Sequence, residues 1–267
     1  MFRAVVNMGQ FVPGNSCIHL LDPRIKMICV VVAAVVVFLV SNWQGFLLLT
    51  TVVFVAMGLT GIGIWTFLRG LLAIWILLLF TLFFNAWLTP GEVLFQAGFF
   101  QVTIEGLLRG SRIFLQLTLL VLVVFMLTLT TSPLNLTAGL ESILSPFRPI
   151  GVPAHELAMM MTVALRFVPT LMSEAERITK AQRSRGAGFG AGGMLSRVKG
   201  LIPLFVPLFA GAILRAEELA VAMDARCYRG GVNRTRMKDL VLAARDYVAL
   251  LLVVVLLGLV LWDKFWR

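Results

Sequence analysis

The sequence contains little charge. Only 13% of its 267 residues are Asp, Glu, Lys or Arg, whereas 60% are hydrophobic. An average soluble domain is roughly 45–50% apolar and about 25% charged. This chain therefore has too few polar residues to cover a water-exposed globule. Its apolar residues also form blocks long enough to cross a bilayer, so we expect an integral membrane protein.

Cysteine and histidine are also scarce. The three cysteines, Cys17, Cys29 and Cys227, show no metal-binding or redox spacing, and an odd number does not form a disulfide framework. The two histidines, His19 and His155, are far apart in sequence. The HExxH motif of zinc proteases does not occur. We predict that this chain has no metal site, no cofactor site and no catalytic residues.

The apolar blocks lack central ionisable residues, which argues against a proton-coupled carrier because such carriers place charged groups inside the membrane. The chain has a net charge of +10. In a membrane protein this charge indicates cytoplasmic loops that follow the positive-inside rule, so we expect no nucleic-acid partner.

Five blocks are predicted to span the membrane. They cover approximately residues 27–40, 46–59, 67–87, 113–131 and 240–262. Residues 88–105 are predicted to form a loop. The sequence therefore predicts an all-α membrane protein with about five transmembrane helices.

Residues 132–239 differ from the rest of the chain. They contain 14 Lys or Arg and 8 Asp or Glu, and charges interrupt the apolar residues every few positions. This pattern favours amphipathic helices outside the bilayer. Three helices are predicted near residues 134–144, 153–185 and 195–229, with prolines that bend or break the two long ones. The predicted domains are thus residues 1–131 with four spans, a cytoplasmic insert at 132–239, and 240–267 with the last span.

Two features of the insert are interpreted as structural. The glycines of GAGFGAGG, residues 186–193, match GxGxxG but follow a helix, not a strand, so we interpret them as a flexible linker and not a nucleotide site. Any ATP would then be bound by another chain. Helix spacing predicts ion pairs between Glu176 and Lys180 and between Arg215 and Glu218.

The ends of the two long helices repeat. AERITKAQRSRG begins at Ala175 and AEELAVAMDARC begins at Ala216, and every matching pair of positions has the same offset. The repeat pairs Ala181 with Ala222 and Arg185 with Arg226. Small residues let helices approach closely, and a cation is favoured at a helix C-terminus. One interpretation is an ordinary helix end; the other is a pair of equivalent docking plugs.

With these motifs the chain resembles the T components of energy-coupling factor transporters, over nearly its whole length. PGNSCIHLLDPRIK at residues 13–26 is similar to the opening signature of that family. ALRFVP at 164–169 with AQRSRG at 181–186 resembles the central signature, and AMDARCYRG at 222–230 resembles the second short motif. The family's two motifs, commonly Ala-Arg-Gly, fall here on Ser184-Arg185-Gly186 and Ala225-Arg226-Cys227.

The resemblance implies an energy-coupling subunit of an importer for vitamins or other micronutrients in a prokaryotic cell membrane. The two motifs would dock two cytoplasmic ABC-type ATPase subunits, which would bind ATP and Mg²⁺, while Ala181 and Ala222 would allow close helix packing beside the motifs. A small membrane subunit would capture the substrate. This chain would carry out no chemistry itself.

Three other functions remain open from the residues alone: a permease with its own substrate pathway, a membrane enzyme, and a structural anchor. A competing role for Arg185 and Arg226 is attraction to anionic lipid, which treats Lys and Arg nearly alike.

Overall fold

The computed structural model describes residues 11–40, 42–97, 100–185, 194–230 and 241–266. Helices make up most of these ranges. They are α1 (Pro23–Leu39), α2 (Trp43–Thr60), α3 (Ile64–Leu72), α4 (Trp75–Leu88), α5 (Ile104–Thr130), α6 (Pro133–Leu144), α7 (Ala154–Ser184), α8 (Met194–Ala225) and α9 (Ala244–Trp266). A 3₁₀ helix at Ser145–Ile150 follows α6. The predicted all-α membrane fold is confirmed, apart from one short β-hairpin.

The chain forms two compact units. The first comprises residues 1–139 and 238–267, and the second comprises residues 140–237. In the first unit α1 packs against α5 and α9, and α4 runs along α5. The core of this unit is centred on side chains that are at most 1% exposed: Val36, Val37, Phe46, Phe67 and Leu119.

Four of the described helices, α2, α5, α7 and α9, are long and apolar enough to cross a membrane, and the α3–α4 pair makes a fifth if it crosses as one bent span. Helix α1 has 17 residues, somewhat fewer than the roughly 20 that a span needs. Helix α7 is the least apolar of the four. The sequence assigns α7 to the cytoplasm, and that assignment stays a prediction.

The predicted third span is not one straight helix. Helices α3 and α4 are bent by 60° relative to each other. The break contains no proline; instead Ile74 leaves helical geometry, with φ −115° and ψ 8°. Before the break, α3 approaches α5 closely: a Cβ on Gly70 would lie 2.7 Å from the ring of Phe125. Packing between distant segments therefore accompanies a bend that the uninterrupted apolar run did not indicate.

The predicted loop at residues 88–105 contains the hairpin. Strand β1 (Val93–Ala97) pairs antiparallel with β2 (Phe100–Thr103). Helix α5 then begins at Ile104, well before the predicted span. Thr103 caps this helix, because its hydroxyl accepts a hydrogen bond from the Gly106 N–H at 3.1 Å. The predicted loop is thus a connection between α4 and α5 that contains a β-hairpin, and the predicted start of the fourth span at residue 113 was too late.

In the insert, α6, α7 and α8 occupy the places of the three predicted helices. Pro169 lies inside α7, and Pro203 and Pro207 lie inside α8. The prolines therefore do not break the two long helices.

Candidate functional site

The first predicted motif lies at the C-terminal end of α7. Arg185 is the C-cap residue, and its backbone N–H donates to the carbonyls of Ala181 and Gln182, both at 3.2 Å. The Ser184 hydroxyl donates to the carbonyl of Lys180 at 3.2 Å. The Ser184 and Arg185 side chains are exposed. The helix end thus presents a cation to its surroundings at the terminus where the helix dipole favours it.

The second motif ends α8 in the same way, with Arg226 directly after the last helical residue. The N–H of Cys227 donates to the Asp224 carbonyl at 2.9 Å, and the N–H of Tyr228 donates to the Met223 carbonyl at 3.1 Å. These are the two hydrogen bonds of a Schellman motif, which satisfies the free carbonyls of a helix end.

Cys227 adopts a left-handed conformation with φ +55°. Glycine is usual at this position of a Schellman motif because it has no Cβ to strain. This geometry explains why the last residue of such a motif is commonly glycine. Here Cys227 stands at that position and adopts the same left-handed turn. Ala225, Arg226 and Cys227 are all exposed. The final residue of the first motif, Gly186, lies outside the described residues, as does the glycine-rich linker.

The alanines beside the motifs are not buried by the described part of the chain. Ala181 and Ala222, predicted to allow close helix packing, are both exposed.

Helices α7 and α8 are joined by an ion pair between Arg215 and Glu174, whose Nη1 and Oε2 atoms are 2.6 Å apart. The sequence predicted that Arg215 would pair with Glu218 on its own helix. The prediction was wrong because α8 passes close to α7 here: a Cβ on Gly211 would lie 3.4 Å from a Glu174 carboxylate oxygen. The neighbouring helix thus supplies the carboxylate.

The ion pair joins equivalent positions of the repeat. Glu174 and Arg215 have the same offset in sequence as the two motif arginines, so each lies equally far before the arginine of its own helix. At 1.5 Å per residue, each arginine is about 16 Å along its helix from the contact. Tyr228, just beyond α8, contacts His155 near the start of α7, so the helices run antiparallel. Arg185 and Arg226 therefore lie on opposite sides of the contact, at equal distances.

A polar cluster holds the Arg226 end in place. The Tyr228 hydroxyl lies 3.3 Å from His155 Nε2 and 2.9 Å from Met159 Sδ, and His155 Nδ1 lies 3.0 Å from Glu141 Oε1. The cluster connects the residues after α8 to α7 and α6. Sequence reasoning missed it, because it weighed His155 only as a metal ligand. Tyr228, next to the second motif, was the residue in the sequence that could have indicated a polar contact at this helix end.

The fold and its exposed helix ends define a multi-pass α-helical membrane protein with a pair of long helices outside its main core. Residues 14–238 match the family described as cobalt transport protein, CbiQ, and the chain belongs to this family.

Its relatives are named energy-coupling factor transporter transmembrane protein EcfT. The relative from Thermosediminibacter oceani is 46% identical over 91% of this chain and 92% of its own length. The relative from Acidaminococcus fermentans is 46% identical over 96% of this chain and 97% of its own length. The relative from Bacillus subtilis is 43% identical over 94% of this chain and 96% of its own length. The chain is thus the energy-coupling transmembrane component of such a transporter, a plasma-membrane protein that works in a complex. The predicted family, the energy-coupling function and the location in the plasma membrane are confirmed.

Proposed function

We propose that this subunit docks two cytoplasmic ABC-type ATPase subunits, one through Ser184-Arg185-Gly186 and one through Ala225-Arg226-Cys227. The observation that carries the proposal is the equal placement of the two arginines. Each is the first residue after a long helix, and the two lie equally far from the contact between the helices. Two equivalent helix ends on opposite sides of one helix pair would allow two equivalent ATPase subunits to bind, one at each end.

The chemistry of arginine fits docking into a groove. A guanidinium presents five N–H donors in a rigid plane and binds a carboxylate through two parallel hydrogen bonds. Each arginine would insert beside an acidic residue of one ATPase. ATP and Mg²⁺ would bind to the ATPases, and the present chain would move without catalysing a reaction.

Helix α8 also offers a surface for the substrate-capture subunit. Large apolar side chains on this helix are 45–67% exposed: Ile202, Phe205, Val206, Phe209, Ile213 and Leu214. Contiguous exposed apolar surface usually marks an interaction site or lipid contact. A small membrane protein that carries a vitamin or another micronutrient would cover it, and would receive the motion that the ATPases drive.

Arginine-to-alanine variants test the docking. Removing Arg185 or Arg226 would leave the partner carboxylate buried and unpaired, at a cost of roughly 2–5 kcal/mol per site. We expect Arg185→Ala or Arg226→Ala to weaken copurification of the ATPases or to reduce uptake in reconstituted vesicles, and the double variant to abolish transport.

Lysine variants separate docking from attraction to lipid. Attraction to anionic lipid is worth about 1 kcal/mol per cation and treats Lys and Arg nearly alike. Arg185→Lys and Arg226→Lys should therefore impair uptake, whereas Arg183→Lys and Arg229→Lys, at exposed sites close to each motif, should not. Full uptake by the Arg185→Lys, Arg226→Lys double variant would favour lipid attraction over docking.

A further inference from the structure

The first unit contains a buried charged cluster whose parts are far apart in sequence. Asp22 and Lys26 are each 6% exposed, and Asp246 is 2% exposed. Charged side chains are rarely buried this deeply unless they are paired and hydrogen-bonded. Asp22 is the N-cap of α1, Lys26 lies in its first turn, and Asp246 lies in the first turn of α9.

The Lys26 ammonium has all three of its N–H donors placed against oxygen atoms. Nζ lies 3.1 Å from the His19 carbonyl, 3.0 Å from the Thr130 carbonyl and 3.2 Å from the Thr131 hydroxyl. Thr130 is the last residue of α5, so the cation also meets the negative end of that helix dipole. Lys26 thereby fixes the end of α5 to the start of α1.

Asp246 makes the corresponding connection for α9. One carboxylate oxygen accepts a hydrogen bond from the Asp22 N–H at 2.8 Å, and the other accepts from the Ala243 N–H at 2.8 Å. The bond to Ala243 closes the first turn of α9 as in a capping box. Asp22 in turn accepts from the Arg24 N–H at 2.9 Å. The start of α9 is thus bonded to the start of α1.

The segment before α1 folds around the same place. The Val12 N–H donates to the Leu129 carbonyl at 3.0 Å, and the His19 ring lies 3.0 Å from the Val12 carbonyl and 2.6 Å from the Ser16 hydroxyl. A Cβ on Gly14 would lie 2.9 Å from that ring. The segment of PGNSCIHLLDPRIK is therefore built around the end of α5.

The Lys26 ammonium stays mainly charged near neutral pH although it is buried. Burial lowers the pKa of the Lys26 ammonium to about 8, and the charges of Asp246 and Asp22 act in the opposite direction. Lys26 precedes the apolar block and remains mainly protonated at pH 7.

The position of the cluster is the basis of the inference. Thr130 and Thr131 end the helix that precedes the chain's exit from the first unit after residue 139, and Ala243 and Asp246 begin the helix that follows its return at residue 238. The helix that leads towards the second unit and the helix that leads back from it are therefore joined, within the first unit, by one cluster of hydrogen bonds.

We propose that Asp22, Lys26 and Asp246 form a clasp that fixes both connections and positions them for energy transmission. A fixed connection passes on a force, whereas a loose one absorbs it as local movement. The clasp rests on the energy-coupling role of the family and does not require that Arg185 and Arg226 be the docking residues.

The test uses the complete transporter, with its ATPases and capture subunit, in vesicles. Lys26→Met keeps the length of the side chain and removes the cation. Thr131→Val keeps its shape and removes one of the three acceptors. We expect substrate uptake per ATP hydrolysed to fall at least tenfold in Lys26→Met and two- to fivefold in Thr131→Val, with the ATPases still copurifying.

Asp263→Asn is the matched control. Asp263 also joins α9 to another segment of the same unit, through Asn42 at 2.5 Å, but it lies at the opposite end of α9 from the connections. This variant should keep the wild-type ratio of uptake to hydrolysis.

An unchanged ratio in Thr131→Val and Lys26→Met would overturn the proposal, and so would an equal fall in Asp263→Asn. Loss of ATPase copurification in Thr131→Val would show that the cluster serves assembly instead, which also contradicts the clasp. If Lys26→Met does not fold, the milder Thr131→Val decides. Failure of docking through the arginines would appear separately, as normal copurification and normal uptake in the Arg185 and Arg226 variants.

Discussion

Two phenylalanines in the core of the first unit and two on α8 in the second unit have opposite surroundings. Phe46 and Phe67 in the first unit are each 1% exposed and belong to one core. Phe205 and Phe209 on α8 in the second unit are 63% and 67% exposed. The first unit also has exposed phenylalanines, such as Phe38 at 62% and Phe80 at 54%, but it has a core of large apolar side chains that Phe46 and Phe67 help to fill. The described phenylalanines near the middle of α8 are not buried in such a core.

Charged residues follow the same division. Among the described residues, the buried charged side chains are those of the first-unit cluster of Asp22, Lys26 and Asp246. In the second unit, the paired side chains of Arg215 and Glu174 are both partly exposed. The buried charges of the first unit fix the ends of helices, whereas the Arg215–Glu174 pair of the second unit remains partly accessible.

Removing a phenylalanine from each unit should sharpen this contrast most. Phe67→Ala should lower the free energy of unfolding by roughly 3–5 kcal/mol, because it leaves a cavity next to Phe125. Phe209→Ala should change it by about 0.5 kcal/mol or less in the isolated chain. The measurement is denaturant unfolding in detergent. A similar loss from both variants would contradict the contrast.

A substitution in the turn after α8 should have a smaller effect on stability, and in the opposite direction. Cys227→Gly should stabilise the isolated chain by about 1 kcal/mol, because glycine adopts the left-handed conformation without strain. Cys227→Val should destabilise it, because a β-branched residue is strained there. Thermal unfolding of both variants measures the direction of each change in stability. A loss of stability in Cys227→Gly would show that Cys227 is not strained at this position.

The smallest effect concerns the ion pair. Since the pair is partly exposed, a double-mutant cycle of Glu174→Gln and Arg215→Met should give a coupling energy of about 0.5 kcal/mol. Glu176, exposed on the same helix, serves as the control: Glu176→Gln should show no coupling to Arg215. Coupling of several kcal/mol would place this pair with the buried charges of the first unit.

Features that depend on neighbouring residues were predictable from the sequence. The long helices of the insert follow from the spacing of apolar residues and charges, and the two like helix ends follow from the repeat of their sequences. The capping of Arg226 also depends on local residues, since its bonds join positions three and five apart.

Features that join distant segments were not predictable. The bond from Asp22 to Asp246 joins residues 224 apart. The partner of Arg215 was mistaken because helix spacing favours Glu218, whereas the approach of α7 brings Glu174 closer. The bend between α3 and α4 likewise accompanies packing against Phe125 and not a local breaker such as proline. Tertiary contacts, which one sequence does not display, decide each of these.

The equal distances from the Glu174–Arg215 contact to the two arginines have a mechanical consequence. A pair of rigid arms turning about that contact is a lever with a ratio of one. A rotation of about 10° would carry each arginine about 3 Å, because each arm is about 16 Å long. No proline lies between the contact and either arginine to weaken an arm. If the two helices turn together about the contact, a displacement at one end would be matched in size, neither amplified nor reduced, at the other.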